Sequence, residues 1–298
     1  MTHTDDQSHR DYLKAIALMM IGFSLVPGMD AIAKYLSGDY SVLQLGWARF
    51  VFHLLFVVPV VWWRHRRAIW PKHPWLQLAR GVFQMSATLL FFAALTHMPI
   101  ADALALLFAY PLLVTAFSPF FLGEYVRGIQ WLAIAIGLVG VLFILRPGAG
   151  AFQWASVLAL GASVCFALYM ITTRKVAGTS PPLVTLVYSA IVGAVVLTLG
   201  TPWFWIPPRP SDWVLMILIG LLAACGHFSI VKAFELAPAS RIAPFGYVEI
   251  VAATALGYFV FGDFPDAWAF VGIGIIVAAG VLVSYRAPRG QVTPDPAG

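Results

Sequence analysis

Charged residues are scarce in this sequence, and their scarcity excludes most soluble folds. Of the 298 residues, 10% are Asp, Glu, Lys or Arg and 61% are hydrophobic. A soluble protein of this length covers its cores with a surface rich in charge, so most of this chain's surface must contact lipid. The sequence therefore predicts a protein that crosses a bilayer several times.

Cysteines and chemical motifs are also scarce. Cys165 and Cys225 lie inside apolar runs without metal-ligand or CxxC spacing, so we interpret them as packing residues and expect no metal and no cofactor. The chain contains no HExxH, no GxSxG, no phosphate-binding glycine loop and no paired aspartates at mid-membrane depth, which argues against an intramembrane enzyme. The chain also lacks a selectivity sequence of the kind found in channels, which argues against a channel. The net charge of +5 is scattered and forms no basic stripe, which argues against nucleic acid as a partner.

Apolar segments separated by turn residues divide the chain into ten predicted membrane spans. Each approaches the ~20 residues that a helix needs to cross the ~30 Å hydrocarbon layer. Pro-rich segments at 70–74 and 202–210 fall between spans, where a missing backbone donor does no harm. The predicted spans are 12–36, 41–63, 75–97, 100–122, 129–146, 152–174, 182–202, 212–235, 240–262 and 265–285.

Lysine and arginine are distributed unevenly between the two sides of the membrane. If the N-terminus is cytoplasmic, most of them, Arg80 included, fall on the cytoplasmic side, whereas Lys34, Arg146 and Arg209 fall on the far side. Positive charge is retained in the cytoplasm. We therefore expect both termini in the cytoplasm and the protein in the inner membrane.

The two halves of the chain resemble each other at an offset of 139 residues. The correspondences pair Ala94 with Ala233, Pro99 with Pro238, Gly123 with Gly262 and Glu124 with Asp263. An odd number of spans in each half inverts the second copy, and the charges agree: Lys34 and Arg146 fall outside, but their partners Arg174 and Arg286 fall inside.

The inverted repeat has consequences for organisation and for function. We predict an N-terminal tail (1–11), a first repeat (12–148), a second repeat (149–286) and a C-terminal tail (287–298). The first span is then a retained helix and not a cleaved signal, because its removal would destroy the repeat. Two nearly equivalent inverted halves are the structural basis of alternating access in many secondary transporters.

Several motifs carry a resemblance to a known family. They include Trp47-Ala48-Arg49-Phe50, Pro99-Ile100-Ala101-Asp102-Ala103, Tyr110-Pro111-Leu112, Leu122-Gly123-Glu124 and Arg146-Pro147-Gly148, and the second half repeats them more loosely. With these motifs the chain resembles the drug/metabolite transporter superfamily, EamA-like branch, over nearly its whole length.

The resemblance implies ten transmembrane helices, in two inverted five-helix repeats around a central cavity. Such a protein moves a small metabolite across the cytoplasmic membrane without ATP, as a monomer or a homodimer. Members of the superfamily export amino acids or drugs, or take up vitamins or nucleotide-like metabolites. The segment Met29–Lys34 and the pair Gly226-His227 resemble the group with riboflavin-uptake and S-adenosylmethionine-uptake carriers.

Glu249 is the most informative polar residue within a span. An ionised carboxylate is costly inside a membrane, so Glu249 either faces a wet cavity and binds a coupled proton, or makes a structural hydrogen bond to a neighbouring helix. Its repeat equivalent is Tyr110.

Two pairs of polar residues have the i, i+4 spacing that brings side chains together on one helical face. Asp30 and Lys34 form either a neutralised pair at the extracellular mouth or an interfacial pair whose lysine extends to the headgroups. Arg49 and His53 lie on the second span. Because Arg49 keeps its charge, it must be hydrated or paired, with Asp30 and an anionic group of the substrate as the candidate partners.

Further candidates for a substrate cavity are Gln84, Tyr110, Tyr169, His227 and Tyr247. Tyrosine offers an apolar face and one hydrogen bond, which suits a planar amphiphilic solute. A histidine in a span either titrates or is a packing residue.

Other residues have predicted structural roles. Glu124 and Asp263 are expected to cap the helices that follow them. Pro111 and Pro244 are expected to kink their spans. Glycines in the fifth and tenth spans are expected to bring helices close together; they are Gly137, Gly140, Gly272, Gly274 and Gly280.

Overall fold

Helices cover the predicted spans in a computed structural model of the chain, and prolines mark several of their starts. The structure describes residues 2–65, 70–123, 125–145, 154–176, 179–236, 245 and 247–285. Pro74 and Pro182 each open a helix, at a position where no backbone donor is needed. The helices are α1 (Thr2–Leu36), α2 (Val42–His65), α3 (Pro74–Leu95), α4 (Ile100–Leu107), α5 (Tyr110–Leu122), α6 (Gly128–Leu145), α7 (Trp154–Val176), α8 (Pro182–Phe204), α9 (Pro210–Leu236), α10 (Val248–Leu256), which continues as a π-helical turn (Gly257–Phe261), and α11 (Ala267–Tyr285).

These helices are of membrane length. Eight helical stretches in the described residues are long and apolar enough to cross a bilayer, with α4 and α5 together forming one of them. The stretches Val248–Phe261 and Ala267–Leu282 are shorter. The start of the predicted ninth span, 240–244, lies outside the described residues. The all-helical, polytopic fold predicted from composition is confirmed.

Contacts between helices follow a two-fold relation between the halves of the chain. Helix α1 packs on α9 as α7 packs on α3, and α1 packs on α10 as α7 packs on α5. Helix α2 packs on α9 as α8 packs on α3, while α2 with α8 and α6 with α11 pair two equivalent helices. The main helix pairs are therefore equivalent under exchange of the halves, as a repeat of five spans predicts.

The repeat extends to backbone conformation at two glycines. Gly123 and Gly262 end the fourth and ninth spans with φ of 68° and 70°, a region that glycine enters without strain. The N–H of each glycine donates to the carbonyl five residues earlier. Gly123 donates to Ser118, and Gly262 donates to Gly257.

Pro111 splits the fourth span into α4 and α5, as expected of a proline within a helix. It has no N–H to donate to the carbonyl of Leu107, four residues earlier. That carbonyl accepts a hydrogen bond from the Ser163 hydroxyl of α7 at 3.0 Å, so the break leaves no unsatisfied acceptor there. In the intervening turn, the Phe108 ring packs beside Tyr110 and Tyr247. Pro244 lies outside the described residues.

The α1–α2 turn and the α8–α9 turn are hydrogen-bonded to each other. The Tyr40 hydroxyl donates to the Asp212 carboxylate at 2.6 Å and accepts from the Arg209 amide at 3.1 Å. The Gln44 side chain bonds both the N–H and the carbonyl of Ile206. The hydrogen bond to Asp212 raises the pKa of Tyr40, because loss of the proton would place two negative charges together.

Two structural predictions need correction. Asp263 does not cap α11. Instead, Asp266 Oδ1 accepts a hydrogen bond from the N–H of Ala269 at 2.9 Å. Gly274 faces open space, because it lies on the other side of α11 from Gly272, whose added Cβ would meet the carbonyl of Gly140 at 2.7 Å. Glu124 lies outside the described residues.

Candidate functional site

A buried cluster of charged side chains lies where the two halves of the bundle meet. Arg49 of α2 is 7% exposed and donates to His227 Nε2 of α9 at 3.2 Å. Its guanidinium also lies over the Phe50 ring at 5.1 Å. Asp30 of α1 is 2% exposed and interacts electrostatically with Arg49. A buried acid of α1 and a buried base of α2 therefore lie within electrostatic range of each other.

Glu249 lies in the first turn of α10, beside this pair. It is 6% exposed, and Asp30 and Tyr110 are within electrostatic range of its carboxyl group. Two carboxyl groups from α1 and α10 thus share one buried region, and the Arg49 guanidinium is within electrostatic range of Asp30.

Two histidines pack beside Arg49. The rings of His53 and His227 are 6.2 Å apart. His53 is 4% exposed, and its Nε2 has no hydrogen-bond partner in the described part of the chain. This atom is one of the few buried polar atoms there without a partner.

Arg80 of α3 is a second buried arginine, and sequence reasoning missed it by placing it among the cytoplasmic charges. It is 2% exposed. Its Nε donates to Thr173 Oγ1 at 2.6 Å, and its Nη2 donates to the Tyr169 hydroxyl at 2.8 Å. Its Nη1 donates to the Thr185 carbonyl at 2.8 Å and also to Ser189 Oγ. A signal was present in the sequence: Gln77, Arg80 and Gln84 follow one another at helical spacing and form a polar stripe on a single face.

A series of aromatic rings runs from Arg80 to Tyr247 and is called here the aromatic series. The Arg80 guanidinium lies 4.6 Å from the Tyr169 ring centroid. Successive centroids are separated by 5.5 Å, 4.7 Å, 6.0 Å and 5.5 Å. All are distances at which aromatic rings attract one another. The members are Tyr169, Phe166, Tyr110, Phe108 and Tyr247.

Gln84 and Tyr247 are two further candidates from the sequence, and both lie inside the bundle. Gln84 is 4% exposed, and its Oε1 has no hydrogen-bond partner among the described residues. The Tyr247 hydroxyl lies against Gly280 of α11.

Lys34 does not form the expected ion pair with Asp30. It binds Asp263, which follows the π-helical turn, at 2.7 Å and donates to the Met98 carbonyl at 3.1 Å. It also lies 4.9 Å from the Phe261 ring centroid. The side chain leaves the last turn of α1 toward these groups, whereas Asp30 lies one turn deeper, beside Arg49.

The structure thus brings together eight of the candidates: Asp30, Arg49, His53, Tyr110, Tyr169, His227, Tyr247 and Glu249. Gln84 lies on the same helix as Arg80, one turn away, and Lys34 is bound elsewhere. Within the described residues, no group of three or more His, Cys, Asp or Glu is arranged to hold a metal ion.

Membrane-length helices in two symmetric halves around buried charges define a membrane transporter. The chain belongs to the EamA-like transporter family, which matches residues 13–146 and again residues 153–285.

Curated relatives of the chain are transporters and not enzymes. An S-adenosylmethionine uptake transporter of Rickettsia felis is 26% identical over 93% of this chain and 94% of its own length. A riboflavin transporter of Vibrio cholerae is 31% identical over 62% of this chain and 63% of its own length. A pseudopaline exporter of Pseudomonas aeruginosa is 28% identical over 72% of this chain and 75% of its own.

A solved structure shares the fold. A protein of known crystal structure is 20% identical to this chain, with a TM-score of 0.63, and the match covers 89% of this chain and 96% of the other. The predictions of family, fold class and transport function are confirmed.

Proposed function

We propose that this transporter is a secondary-active carrier that takes up S-adenosylmethionine, or a closely similar adenosyl amino acid, by alternating access. The observation that carries the proposal is the order of groups along the candidate site. A cation, Arg80, lies over Tyr169 at one end of the aromatic series. The Glu249 carboxyl group is within electrostatic range of Tyr110, in the middle of the series, and of Asp30.

S-adenosylmethionine has chemical groups that match this order. It carries a carboxylate, a planar adenine and the positive charges of an ammonium and a sulfonium. Arginine pairs with carboxylates, aromatic rings stack on a purine, and the faces of aromatic rings also attract cations. The S-adenosylmethionine uptake transporter of Rickettsia felis, which matches nearly the full length of the chain, supports the proposal independently.

Riboflavin is the second candidate, because a riboflavin transporter is among the relatives. Its planar ring system also fits the aromatic series. It is uncharged, however, and would leave the buried charges of Arg80 and Glu249 without a complement, which is unfavourable in a desolvated site. An exported amino acid or drug is the remaining alternative, and it would contact fewer rings of the aromatic series than S-adenosylmethionine or riboflavin.

The direction of transport follows from the charge of the solute. A solute with net positive charge gains about 2.3 kcal/mol per elementary charge per 100 mV on entering a negative cytoplasm. Uptake is therefore favoured over export, although an exporter is among the relatives.

A ten-helix monomer provides the complete site, so a homodimer is not required.

The proposed setting is the inner membrane, with both termini in the cytoplasm. The distribution of Lys and Arg supports this orientation. The proposed units are the repeats 12–148 and 149–286, flanked by the tails 1–11 and 287–298.

Glu249 is the proposed site of a coupled proton. A carboxyl group buried in a membrane helix needs a partner, water or a proton. Its neighbours Asp30 and Tyr110 do not neutralise a negative charge.

The choice of substrate is tested by ligand-dependent thermal stability of the purified protein in detergent. A ligand at 100 times its Kd stabilises the form it binds by about 2.7 kcal/mol. S-adenosylmethionine is expected to raise the Tm by several degrees, while adenosine and methionine alone have smaller effects. A shift with riboflavin alone would establish the second candidate, and no shift with either compound would overturn the proposal.

A further inference from the structure

Arg80 is a buried cation without a carboxylate partner. Every group that accepts a hydrogen bond from it is neutral: two threonines, a serine and a tyrosine. Among the described residues, neither Asp nor Glu forms an ion pair with it. Buried guanidinium groups are ordinarily paired, because removal of a charge from water is costly.

The hydrogen bonds fix the orientation of the Arg80 guanidinium but leave one of its N–H donors without an acceptor among them. A guanidinium has five N–H donors. Four are used by Thr173, Thr185, Ser189 and Tyr169, which leaves one N–H on Nη2. Rigid orientation by neutral groups preserves the full positive charge for an incoming anion, and it lowers the entropic cost of binding one.

Gln84 adds an acceptor one helical turn from Arg80. Residues at i and i+4 lie on the same helical face, about 5–6 Å apart. The Gln84 side chain is 4% exposed, and its Oε1 has no partner in the part of the chain that the structure describes. An unpartnered buried acceptor costs stability unless a ligand supplies the donor.

The same face continues into the aromatic series. Tyr169 both accepts a hydrogen bond from Arg80 and lies under its guanidinium. A group bound at Arg80 is therefore adjacent to the first ring of the series. A free inorganic anion would use the cation alone, whereas a zwitterionic head group joined to an aromatic body uses all three features.

We propose that Arg80 and Gln84 form a subsite for the α-amino acid head group of the substrate, with Arg80 binding the carboxylate and Gln84 Oε1 accepting from the ammonium group. This subsite rests on the proposed function and makes it specific. It assigns the carboxylate to α3 and directs the remainder of the solute along the aromatic series.

Three solutes test the subsite. S-adenosylmethionine has the carboxylate, the amine and the sulfonium. Its decarboxylated form lacks only the carboxylate, and 5′-methylthioadenosine, a neutral thioether, lacks the head group and the sulfonium charge. Inhibition of labelled S-adenosylmethionine uptake by the latter two, and uptake of each as a labelled solute, are measured in proteoliposomes.

Each variant is expected to give a distinct pattern. Arg80→Gln lowers the apparent affinity for S-adenosylmethionine about 30- to 100-fold, in line with loss of a charge-assisted pair in a desolvated site, and leaves the decarboxylated form nearly unchanged. Gln84→Leu weakens both by a similar factor, because both carry the amine. Neither variant changes the affinity for 5′-methylthioadenosine.

Controls separate folding from recognition. Arg127→Gln removes an exposed arginine ahead of α6 and is expected to leave all three affinities unchanged. If Arg80→Gln does not fold, Arg80→Lys is used in its place. Lysine keeps the charge but lacks the planar guanidinium with its fixed N–H donors, and it is expected to retain a reduced preference for the carboxylate. Equal losses for all three solutes in either Arg80 variant would show a purely structural role and overturn the subsite.

Failure of the proposed function gives a different result. If the unaltered protein takes up none of the three solutes, the assignment to adenosyl amino acids fails, and the subsite falls with it. If it takes up S-adenosylmethionine while the Arg80 variants keep the full preference for the carboxylate, the function stands and only the subsite is wrong.

Discussion

At the scale of single residues, the chemistry of the site depends on charges that lie inside the bundle. Asp30 has the Arg49 guanidinium within electrostatic range, whereas Glu249 has a second carboxyl group, that of Asp30, as a neighbour. Arg80 has neutral acceptors only. Within the described residues, Glu249 and Arg80 are therefore groups whose charge is available to a solute or a proton.

Glu249→Gln is expected to abolish the dependence of uptake on a pH gradient while leaving the protein folded. Glutamine keeps the size and polarity of the side chain but cannot bind and release a proton. The measurement is uptake into proteoliposomes with an inward proton gradient and with the gradient dissipated. Asp11→Asn, a change at a partly exposed carboxylate near the start of α1, is the control and should behave as the unaltered protein.

Asp30 and Tyr110 are the titratable groups that face Glu249 from α1 and α5, and both remain in this variant. Uptake that still responds to the gradient to the same degree would contradict the assignment to Glu249.

Sequence reasoning identified much of the site by residue type, since a charged or titratable residue within an apolar span is rare enough to be noticed. It failed where the partner comes from another helix. The spacing of Asp30 and Lys34 indicates a pair, but Lys34 binds Asp263, which is distant in the chain. Arg80 was counted as a cytoplasmic charge because it lies near the start of its span, and burial by α7 and α8 cannot be seen in a count of charges.

At the scale of helices, glycines decide how closely the two halves approach. Gly140 of α6 and Gly272 of α11 face each other, and a Cβ added to Gly272 would meet the Gly140 carbonyl at 2.7 Å. The neighbouring Ile144 side chain is as close, at 2.6 Å. The α6–α11 contact therefore has no room for a methyl group at this position.

Gly272→Ala is expected to destabilise the protein by about 1–3 kcal/mol, because overpacking forces the backbones of α6 and α11 apart. Gly274→Ala is the matched control on the same helix. Its Cβ meets nothing within 4 Å, and alanine is the better helix former by about 1 kcal/mol. Thermal unfolding in detergent should rank Gly274→Ala at or above the unaltered protein and Gly272→Ala clearly below it. Equal Tm values for the two variants would contradict close packing at Gly272.

The sequence predicted the helices well and their detailed ends less well. Length and hydropathy suffice for a span, and Pro111 correctly indicated the break between α4 and α5. The cap of α11 was assigned to Asp263 because it is the repeat equivalent of Glu124, yet the helix begins later, and Asp266 caps it. A repeat in sequence preserves the order of elements more faithfully than the role of each side chain.

At the scale of the whole molecule, two-fold packing places the site between equivalent helices. The α1–α9 and α3–α7 contacts are equivalent under exchange of the halves. The charged cluster takes Asp30 and His227 from the first pair, and Arg80 and Tyr169 belong to the second. Lys34 binds Asp263 and the Met98 carbonyl, joining α1 to the segments that precede α11 and α4. Such an arrangement permits the halves to exchange conformations around a fixed site, which is the basis of alternating access.

Solute counterflow tests carrier function most directly. Proteoliposomes loaded with unlabelled S-adenosylmethionine are diluted into a trace of the labelled compound, with protein-free liposomes as the control. The account predicts transient accumulation of label above the external concentration, with the solute chemically unchanged. An alternating-access carrier exchanges label for unlabelled solute, and the excess of unlabelled solute inside competes with label for the return step. Label that stays at the level of protein-free liposomes, or that is recovered as a modified compound, would contradict it.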